Sequence, residues 1–84
     1  MKSWYVYIVK CADETLYTGV AVDLAKRIKT HNEGKGAKYT RARLPVKLQW
    51  SEKLENESLA KKREAEIKKW SRKAKLNFLK TESK

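Results

Sequence analysis

The sequence contains a single cysteine, Cys11, so the chain can form neither an internal disulfide nor a cysteine-based zinc site. It has no apolar run near the roughly 20 residues of a membrane-spanning helix, and no N-terminal stretch resembles a secretion signal. With one proline and three glycines in 84 residues, no segment has the composition of a linker. We therefore expect one domain over residues 1–84, ordered from about residue 3 to about residue 80, in the reducing cytoplasm.

Acidic residues are scarce relative to basic ones. Ten Asp and Glu against 21 Lys and Arg leave a net charge of +11. Such an excess destabilises a small folded chain through self-repulsion, and binding to a polyanion relieves it. A lysine-rich surface that is merely solvated is the alternative. A membrane surface is less well supported, because the charges are not confined to one amphipathic segment. The charge therefore predicts nucleic acid as the partner and no membrane association.

The first third of the chain has the pattern of a hairpin followed by a helix. Residues 4 to 10, WYVYIVK, form a nearly continuous β-branched and aromatic run, which is typical of a buried strand. Residues 16 to 22, LYTGVAV, predict a second strand, and the short connection between the two favours an antiparallel hairpin. Asp23 then stands at the N-cap position of a helix that we predict for residues 24 to 33, with Gly34 at its end.

The remainder of the chain predicts a loop, a strand and two helices. Residues 35 to 45, KGAKYTRARLP, have no apolar period and no acid, so we expect an exposed basic loop and then a third strand over residues 46 to 51. Asn56 is a suitable cap for a second helix, and we expect a third helix to start at Ser71, with a polar tail that frays beyond Lys80. The apolar residues expected to face the core from these two helices are Leu59, Ala60, Ile67, Trp70, Ala74, Leu76, Phe78 and Leu79.

Tyrosines cluster on the predicted hairpin. Strand alternation places Tyr5 and Tyr7 on the same face, and Tyr17 follows on the next strand. Tyrosines in such positions are most often core residues, because the ring packs while the hydroxyl reaches the surface. Gly19 argues for a site instead, since a glycine within a strand often marks the close approach of another backbone or a ligand.

Arg27 and His31 lie four residues apart on the predicted first helix and therefore project from one face. Together they can hold a phosphate. The alternative is that Arg27 is one of many surface cations and that His31, near the end of the helix, interacts with the helix dipole. Composition does not decide between the two interpretations.

Glu64 and Glu66 are the only acids between residues 61 and 80, among nine Lys and Arg. Either carboxylate is a candidate metal ligand. By helical angle Glu64 lies about 90° from the centre of the apolar arc on one side, and Glu66 lies about 70° from it on the other. Geometry alone does not choose between them. The more common outcome for a helix acid is an exposed pair with a neighbouring lysine such as Lys61 or Lys68.

Taken together, these residues resemble the GIY-YIG endonuclease family, in particular its small single-domain bacterial branch, over nearly the whole chain. Five elements occur in the family's order: Tyr5-Val6-Tyr7, Tyr17-Thr18-Gly19, DLAKRIKTH with Arg27 and His31, GKGAKYTR at 34 to 41, and REAEIKKWSRKAK at 63 to 75. The signatures differ from the family name at Tyr5, which stands in place of Gly, and at Thr18, which stands in place of Ile. Both signature tyrosines, Tyr7 and Tyr17, remain.

The resemblance implies an α+β fold, an α/β sandwich in which three helices flank a three-stranded antiparallel sheet. It also implies a catalytic cleft, with Gly19 as a structural residue beside it. The cleft would gather Tyr7, Tyr17, Arg27, His31 and Glu64. The family acid lies one turn after a small residue, as Glu64 lies after Ala60, so the resemblance favours Glu64 over Glu66.

The activity that the resemblance implies is metal-dependent phosphodiester hydrolysis by a DNA endonuclease of repair, recombination or related DNA processing. Glu64 would hold one Mg²⁺ or Mn²⁺ ion, because a single carboxylate with waters and phosphate oxygens suits a hard cation. Arg27 would neutralise phosphate oxygens. Tyr7 or Tyr17 would orient or deprotonate the attacking water, with His31 as an alternative base.

Residues outside the cleft are expected to follow the nucleic-acid backbone with little base specificity, and DNA is favoured over RNA. These residues are Lys35, Lys38, Tyr39, Arg41, Arg43, Lys47, Arg72, Lys73 and Lys75. Among them, Tyr39 is expected to stack on a base. We assume a monomer. The main alternative function is a non-catalytic DNA- or RNA-binding module of the same fold, and another is a structural or ribosome-associated basic protein.

Overall fold

The computed structural model describes residues 3–82. In chain order the elements are strands β1 (Trp4–Lys10) and β2 (Leu16–Ala21), helices α1 (Leu24–Asn32) and α2 (Lys38–Arg41), strand β3 (Lys47–Leu54), and helices α3 (Glu57–Lys68) and α4 (Arg72–Glu82). The strands form an antiparallel sheet in the order β2-β1-β3. The predicted α+β class and three-stranded sheet are confirmed, and four helices rather than three occur within the described range.

The central strand β1 divides the molecule into two layers of packing, because successive side chains of a strand point to opposite faces. Tyr7 and Val9 are buried on the face that α1 covers. Val6 and Ile8 are buried on the other face, under α3 and α4. Helices thus cover both faces of the sheet, and β2 lies at one edge of it.

The helix starts expected from the sequence are confirmed. The side chains of Asp23, Asn56 and Ser71 each accept a hydrogen bond from the backbone N–H three residues later, at 3.0, 2.9 and 3.1 Å. Each bond satisfies a donor that the first turn of a helix leaves without an intrahelical partner. Helix α1 ends at Asn32, one residue before the predicted end, and Gly34 follows with a φ of +76°, which glycine adopts without strain.

The prediction of an exposed loop over residues 35–45 is partly wrong, because Lys38–Arg41 form α2 and Thr40 is fully buried. The segment packs tightly on α1. A Cβ atom at Gly36 would lie 2.9 Å from Cα of His31 and closer still to its ring. The sequence shows no apolar period here because the segment is buried through a polar contact, between Thr40 and His31, and not through apolar side chains.

Three strand ends also differ from the prediction. β3 covers Lys47–Leu54 rather than residues 46–51, because it pairs with β1 as far as Trp4 opposite Leu54. Val46 is buried just ahead of the strand. β2 ends at Ala21, one residue early.

Helices α3 and α4 bury a narrower stripe than the sequence predicts. Ala60, Ile67 and Leu79 are buried as expected, whereas Leu59 is 43% exposed and Leu76 is 42% exposed. Ala74 is also exposed, and Trp70 and Phe78 are half-buried. The apolar arc of each helix is therefore wider than its contact with the sheet.

Helix α4 continues past the expected limit of order near residue 80 and ends at Glu82. Residues 1, 2, 83 and 84, which belong to the predicted domain and tail, lie outside the described residues. Over residues 3–82, no helix combines the length and the apolar character needed to cross a membrane.

Truncation of Ile67 to alanine should destabilise the protein by about 2–4 kcal/mol, because the fully buried side chain holds α3 against the sheet. Leu59→Ala on the same helix should change the free energy of unfolding by less than about 0.5 kcal/mol, since Leu59 is largely exposed. Urea unfolding of both variants measures the difference. Equal losses would contradict the packing described for α3.

Candidate active site

Gly19 creates the space in which the two signature tyrosines meet. It lies opposite Tyr7 in the pairing of β1 with β2. A Cβ atom at this position would lie 2.6 Å from the Tyr7 hydroxyl oxygen and 3.2 Å from Cε2 of Tyr17. The close approach at this glycine is thus made by two side chains of the hairpin itself.

A buried series of hydrogen bonds leads from Tyr7 into α1 and α2. The Tyr7 hydroxyl lies 2.7 Å from Nε2 of His31, and Nδ1 of His31 lies 2.9 Å from Oγ1 of Thr40. All three residues are fully buried. The half-buried Tyr17 packs edge-on against His31, with ring centroids 5.5 Å apart. The fold therefore brings the two tyrosines and the histidine into one cluster.

The electrostatic environment keeps this cluster neutral. Burial raises the pKa of the Tyr7 hydroxyl, and Arg27 opposes that shift through a hydrogen bond to the hydroxyl and through its charge. Burial lowers the pKa of His31 below its ordinary value of 6.5, and Arg27 lowers it further. Near neutral pH the phenol therefore keeps its proton and the imidazole is uncharged. A neutral imidazole next to a phenolic O–H is a proton acceptor, which is the property of a general base.

Arg27 lies beside this pair and is half-buried rather than a free surface cation. Its Nε atom is buried and makes no hydrogen bond within residues 3–82. A buried donor without an acceptor is costly, and phosphate oxygens are strong acceptors for a guanidinium group. Arg27 and His31 share one side of α1, as their spacing predicts, and Arg27 is placed to receive an anion.

Glu64 and Glu66 occupy different environments on α3. The Glu64 side chain is 21% exposed and pairs with Lys68 at 3.2 Å. Its charge adds to the effect of burial in raising the pKa of Tyr7. The Glu66 side chain is 56% exposed and pairs with Arg63. Glu64 is therefore the acid on the side of the tyrosines, a choice that the helical angle left open.

The surroundings of Glu64 fit one kind of metal ion. Over the part of the chain that the structure describes, no group of three or more His, Cys, Asp and Glu side chains is arranged to hold a metal. A single carboxylate fits a hard, largely hydrated cation such as Mg²⁺, which takes its other ligands from waters and phosphates. A cation at Glu64 would displace Lys68, whose ammonium nitrogen lies 5.9 Å from the centroid of the Tyr17 ring.

Tyr39, which we predicted to stack on a base, already makes stacking contacts within the chain. Its ring lies on that of Tyr17, with centroids 5.9 Å and planes 22° apart. The Arg43 guanidinium lies 4.1 Å from the Tyr39 centroid and is also paired with Asp13 at 3.0 Å. Tyr39 is 40% exposed, so part of its surface remains open to a partner.

The other predicted nucleic-acid contacts differ in how far their side chains are exposed or held. The exposed ones are Lys35, Lys38, Arg41, Lys47, Arg72 and Lys73. Arg72 is held by a 2.9 Å hydrogen bond that it donates to the carbonyl oxygen of Glu14. Lys75 is half-buried, and burial together with the charge of Lys68 lowers its pKa. Arg72 and Lys75 line a pocket of about 210 Å³ that reaches Tyr39.

Gly36 and Thr40 were not among the predicted site residues, and Lys68 was named only as an ordinary surface partner. Both Gly36 and Thr40 lie within the family element GKGAKYTR, but nothing in that motif indicates that Thr40 contacts His31 across nine positions of chain. The spacing of four residues between Glu64 and Lys68 is a signal that identifies their pairing.

Comparison with known proteins supports the family that the sequence motifs indicate. The family model described as the GIY-YIG catalytic domain matches residues 3–77. A UPF0213 protein of Streptococcus agalactiae serotype V is 53% identical over 76 residues, which cover 90% of this chain and 86% of that protein. A UPF0213 protein of Staphylococcus aureus strain Mu3 is 52% identical over 80 residues, which cover 95% of this chain and 98% of that protein.

Two solved structures share the fold. The solution NMR structure of a UPF0213 protein from Bacillus halodurans has a TM-score of 0.62 and 40% identity, with 95% of this chain and 85% of that chain covered. The solution NMR structure of a protein from E. faecalis has a TM-score of 0.64 and 43% identity, with 96% and 86% covered.

The lowered pKa of His31 predicts that stability falls as the solution becomes acidic. The unfolded imidazole titrates near 6.5, whereas burial, and then Arg27, hold the folded-state pKa lower. Between these two values the unfolded chain binds more protons. The stabilising contribution is complete above about pH 6.5 and is lost as the pH falls through the folded-state pKa. The midpoint of urea unfolding should therefore decrease between about pH 7.5 and about pH 5.5.

His31→Gln is the control for this titration. It removes the single histidine, the only side-chain type with an ordinary pKa in this interval, so the midpoint should become nearly independent of pH there. An equal decrease in the variant and the parent would contradict the assignment.

Proposed function

Because the chain belongs to the GIY-YIG family, we propose that it is a divalent-metal-dependent endonuclease that hydrolyses phosphodiester bonds in DNA. One observation carries the proposal. The buried 2.7 Å hydrogen bond between Tyr7 and His31 lies beside Arg27, whose buried Nε has no acceptor among the described residues. A proton acceptor next to an unsatisfied anion-binding group supplies two of the functions that phosphodiester hydrolysis requires.

We assign the role of general base to Tyr7 and His31 acting as a pair. Tyr7 is fully buried in the free protein, so substrate binding has to open a path for the attacking water to its hydroxyl. The water then gives a proton to the Tyr7 oxygen while the Tyr7 proton passes to Nε2 of His31, which becomes an imidazolium. Tyr7 acting alone would have to ionise first, which its raised pKa disfavours. Tyr17 is half-exposed and contacts His31, so we assign it to orienting the water on the solvent side of the pair.

Arg27 has two effects in this scheme. It binds the non-bridging oxygens of the scissile phosphate, which give its Nε the missing acceptor. The bound phosphate in turn offsets the repulsion between Arg27 and the imidazolium formed at His31. Substrate binding therefore makes proton transfer to His31 more favourable than it is in the free protein.

Glu64 is the residue that would hold a single Mg²⁺ or Mn²⁺ ion. When bound, the ion supplies positive charge to the phosphate and to the departing oxygen. With Glu64 engaged by the ion, Lys68 would be available to contact the nucleic-acid backbone near Tyr17.

The cations around the cleft favour a long polyanion over a small phosphorylated molecule. Arg72 and Lys75 border the pocket beside Tyr39, and exposed lysines and arginines continue outward from α2 and α4. Contacts of this type bind the backbone with little base readout. From the resemblance to the family we propose DNA rather than RNA as substrate, in repair, recombination or related DNA processing. A monomer as the active form is assumed, and the cytoplasmic setting is the one expected from the single cysteine.

Replacing Glu64 with glutamine should lower the cleavage rate by at least about 100-fold, because the metal-binding charge is lost while the shape is kept. The assay incubates the protein with branched, nicked, single-stranded and duplex DNA and with RNA, in Mg²⁺ or Mn²⁺. Glu66→Gln is the matched control, since it removes an exposed acid two positions away and should leave the rate unchanged.

The outcomes of this assay separate the candidate functions. Full cleavage by the Glu64→Gln variant would contradict the proposed metal site. Binding by the parent protein without cleavage of any substrate would instead support the non-catalytic module.

Removal of a backbone contact should weaken DNA binding and reduce its dependence on salt. We expect Lys75→Gln to lower the slope of log affinity against log salt concentration by about 1, the release expected for one phosphate contact. Lys62→Gln is the control of equal charge, because this exposed lysine lies on the side of α3 opposite the buried Ala60. Fluorescence anisotropy with labelled DNA measures both slopes. Equal changes would show that only net charge matters.

A further inference from the structure

Thr40 holds the His31 ring on the side away from Tyr7. Its Oγ1 atom lies 2.9 Å from Nδ1 of His31 and 2.9 Å from the carbonyl oxygen of Ala37. A carbonyl oxygen only accepts hydrogen bonds, so the single hydroxyl proton of Thr40 is donated to Ala37. The Thr40 oxygen is then free to accept a hydrogen bond from an Nδ1–H group of His31.

The opposite arrangement leaves a buried donor without a partner. If Nε2 carried the proton, it would donate to the Tyr7 oxygen and Thr40 would donate to Nδ1. The Tyr7 O–H group would then have no acceptor, because Arg27, which also hydrogen-bonds the Tyr7 oxygen, has only donors, and His31 is the one acceptor bonded to this hydroxyl in the described structure. A buried hydroxyl proton without an acceptor costs about 1–3 kcal/mol. The arrangement with the proton on Nδ1 satisfies all three donors.

We propose that Thr40 is a positioning residue that fixes the Nδ1–H tautomer of His31, so that Nε2 is available to receive the Tyr7 proton. Nothing has to rearrange at Thr40 when that transfer takes place, because its oxygen accepts from Nδ1–H in both the neutral and the protonated ring. The catalytic consequence rests on the proposed nuclease function, whereas the tautomer is a property of the protein without substrate.

The chain around Thr40 is shaped for this contact. Gly36 lies so close to His31 that a Cβ atom would overlap Nδ1 of the ring. This approach lets α2 place the Thr40 side chain, which is fully buried, against the imidazole. Thr40 is therefore buried, in an otherwise basic and exposed segment, because it hydrogen-bonds His31 and not because it packs in the apolar core.

The tautomer can be read directly, because His31 is the only histidine of the chain and gives one pair of ring ¹⁵N resonances. Long-range ¹H–¹⁵N correlation spectra of the parent protein, slightly above neutral pH, should show a protonated Nδ1 and an unprotonated Nε2. A protonated Nε2 in the parent protein would overturn the proposal without any variant being made.

Two substitutions test the role of the hydroxyl group. Thr40→Val keeps the shape and removes the oxygen, so each tautomer then leaves one buried donor without an acceptor, and the Nε2–H form should gain population at the expense of Nδ1–H. Thr40→Ser keeps the oxygen and should retain Nδ1–H. Backbone amide spectra establish that each variant is folded. An unchanged tautomer in folded Thr40→Val would overturn the proposal. If the valine variant does not fold, the parent and Thr40→Ser spectra decide, and loss of Nδ1–H in either contradicts it.

Measurements of kcat and KM on the Thr40 variants test whether the His31 tautomer affects the cleavage rate. For Thr40→Val we expect kcat to fall about 10- to 100-fold, as for other residues that orient a functional histidine, with KM for DNA unchanged. Thr40→Ser should restore kcat. A tautomer shift with unchanged kcat would overturn the catalytic part of the proposal. Absence of cleavage by the parent protein would instead count against the nuclease function, and the NMR result on Thr40 would still stand.

Discussion

The hydrogen bond between Tyr7 and His31 ties the central strand to the first helix, and the surrounding chain is arranged to permit it. The hydroxyl group reaches the ring only because Gly19 has no side chain to obstruct it, and the ring is backed by a segment that passes over it at Gly36. Burial then gives the pair its chemistry, since it keeps the phenol protonated and the imidazole neutral. The same burial therefore both holds the two side chains in contact and sets their protonation states.

The distribution of charge around this pair follows from its burial. A chain with a net charge of +11 has a neutral polar cluster at its centre, and most of its cations are kept at the surface. Arg27 acts electrostatically on both members of the pair, because it lowers the pKa of Tyr7 and that of His31. A phosphate attracted by the outer cations would meet at Arg27 a donor that still lacks an acceptor.

The two faces of the sheet differ in chemistry, because the buried cluster on one is apolar and the other contains the buried polar pair. The face covered by α3 and α4 carries an apolar cluster around Val6, Ile8 and Ile67, which provides rigidity and no polar chemistry. The face covered by α1 carries Tyr7 and His31. Glu64 comes from α3, whereas Arg27 comes from α1, so the candidate site is assembled from elements on both sides of the sheet. This assembly is possible beside β2, because it is an edge strand of the sheet formed by residues 3–82.

The sequence by itself determined the strands, the helix caps at Asp23 and Asn56, and the positions of Tyr7, Tyr17 and His31, because these follow from local patterns and from family motifs. Only the tertiary structure decided what each residue meets. Helical angle left Glu64 and Glu66 equivalent until α3 packed on the sheet, and Thr40 had no pattern of its own. Its burial arises from a hydrogen bond to a histidine nine residues away, and a contact between polar groups leaves no hydrophobic period in the sequence.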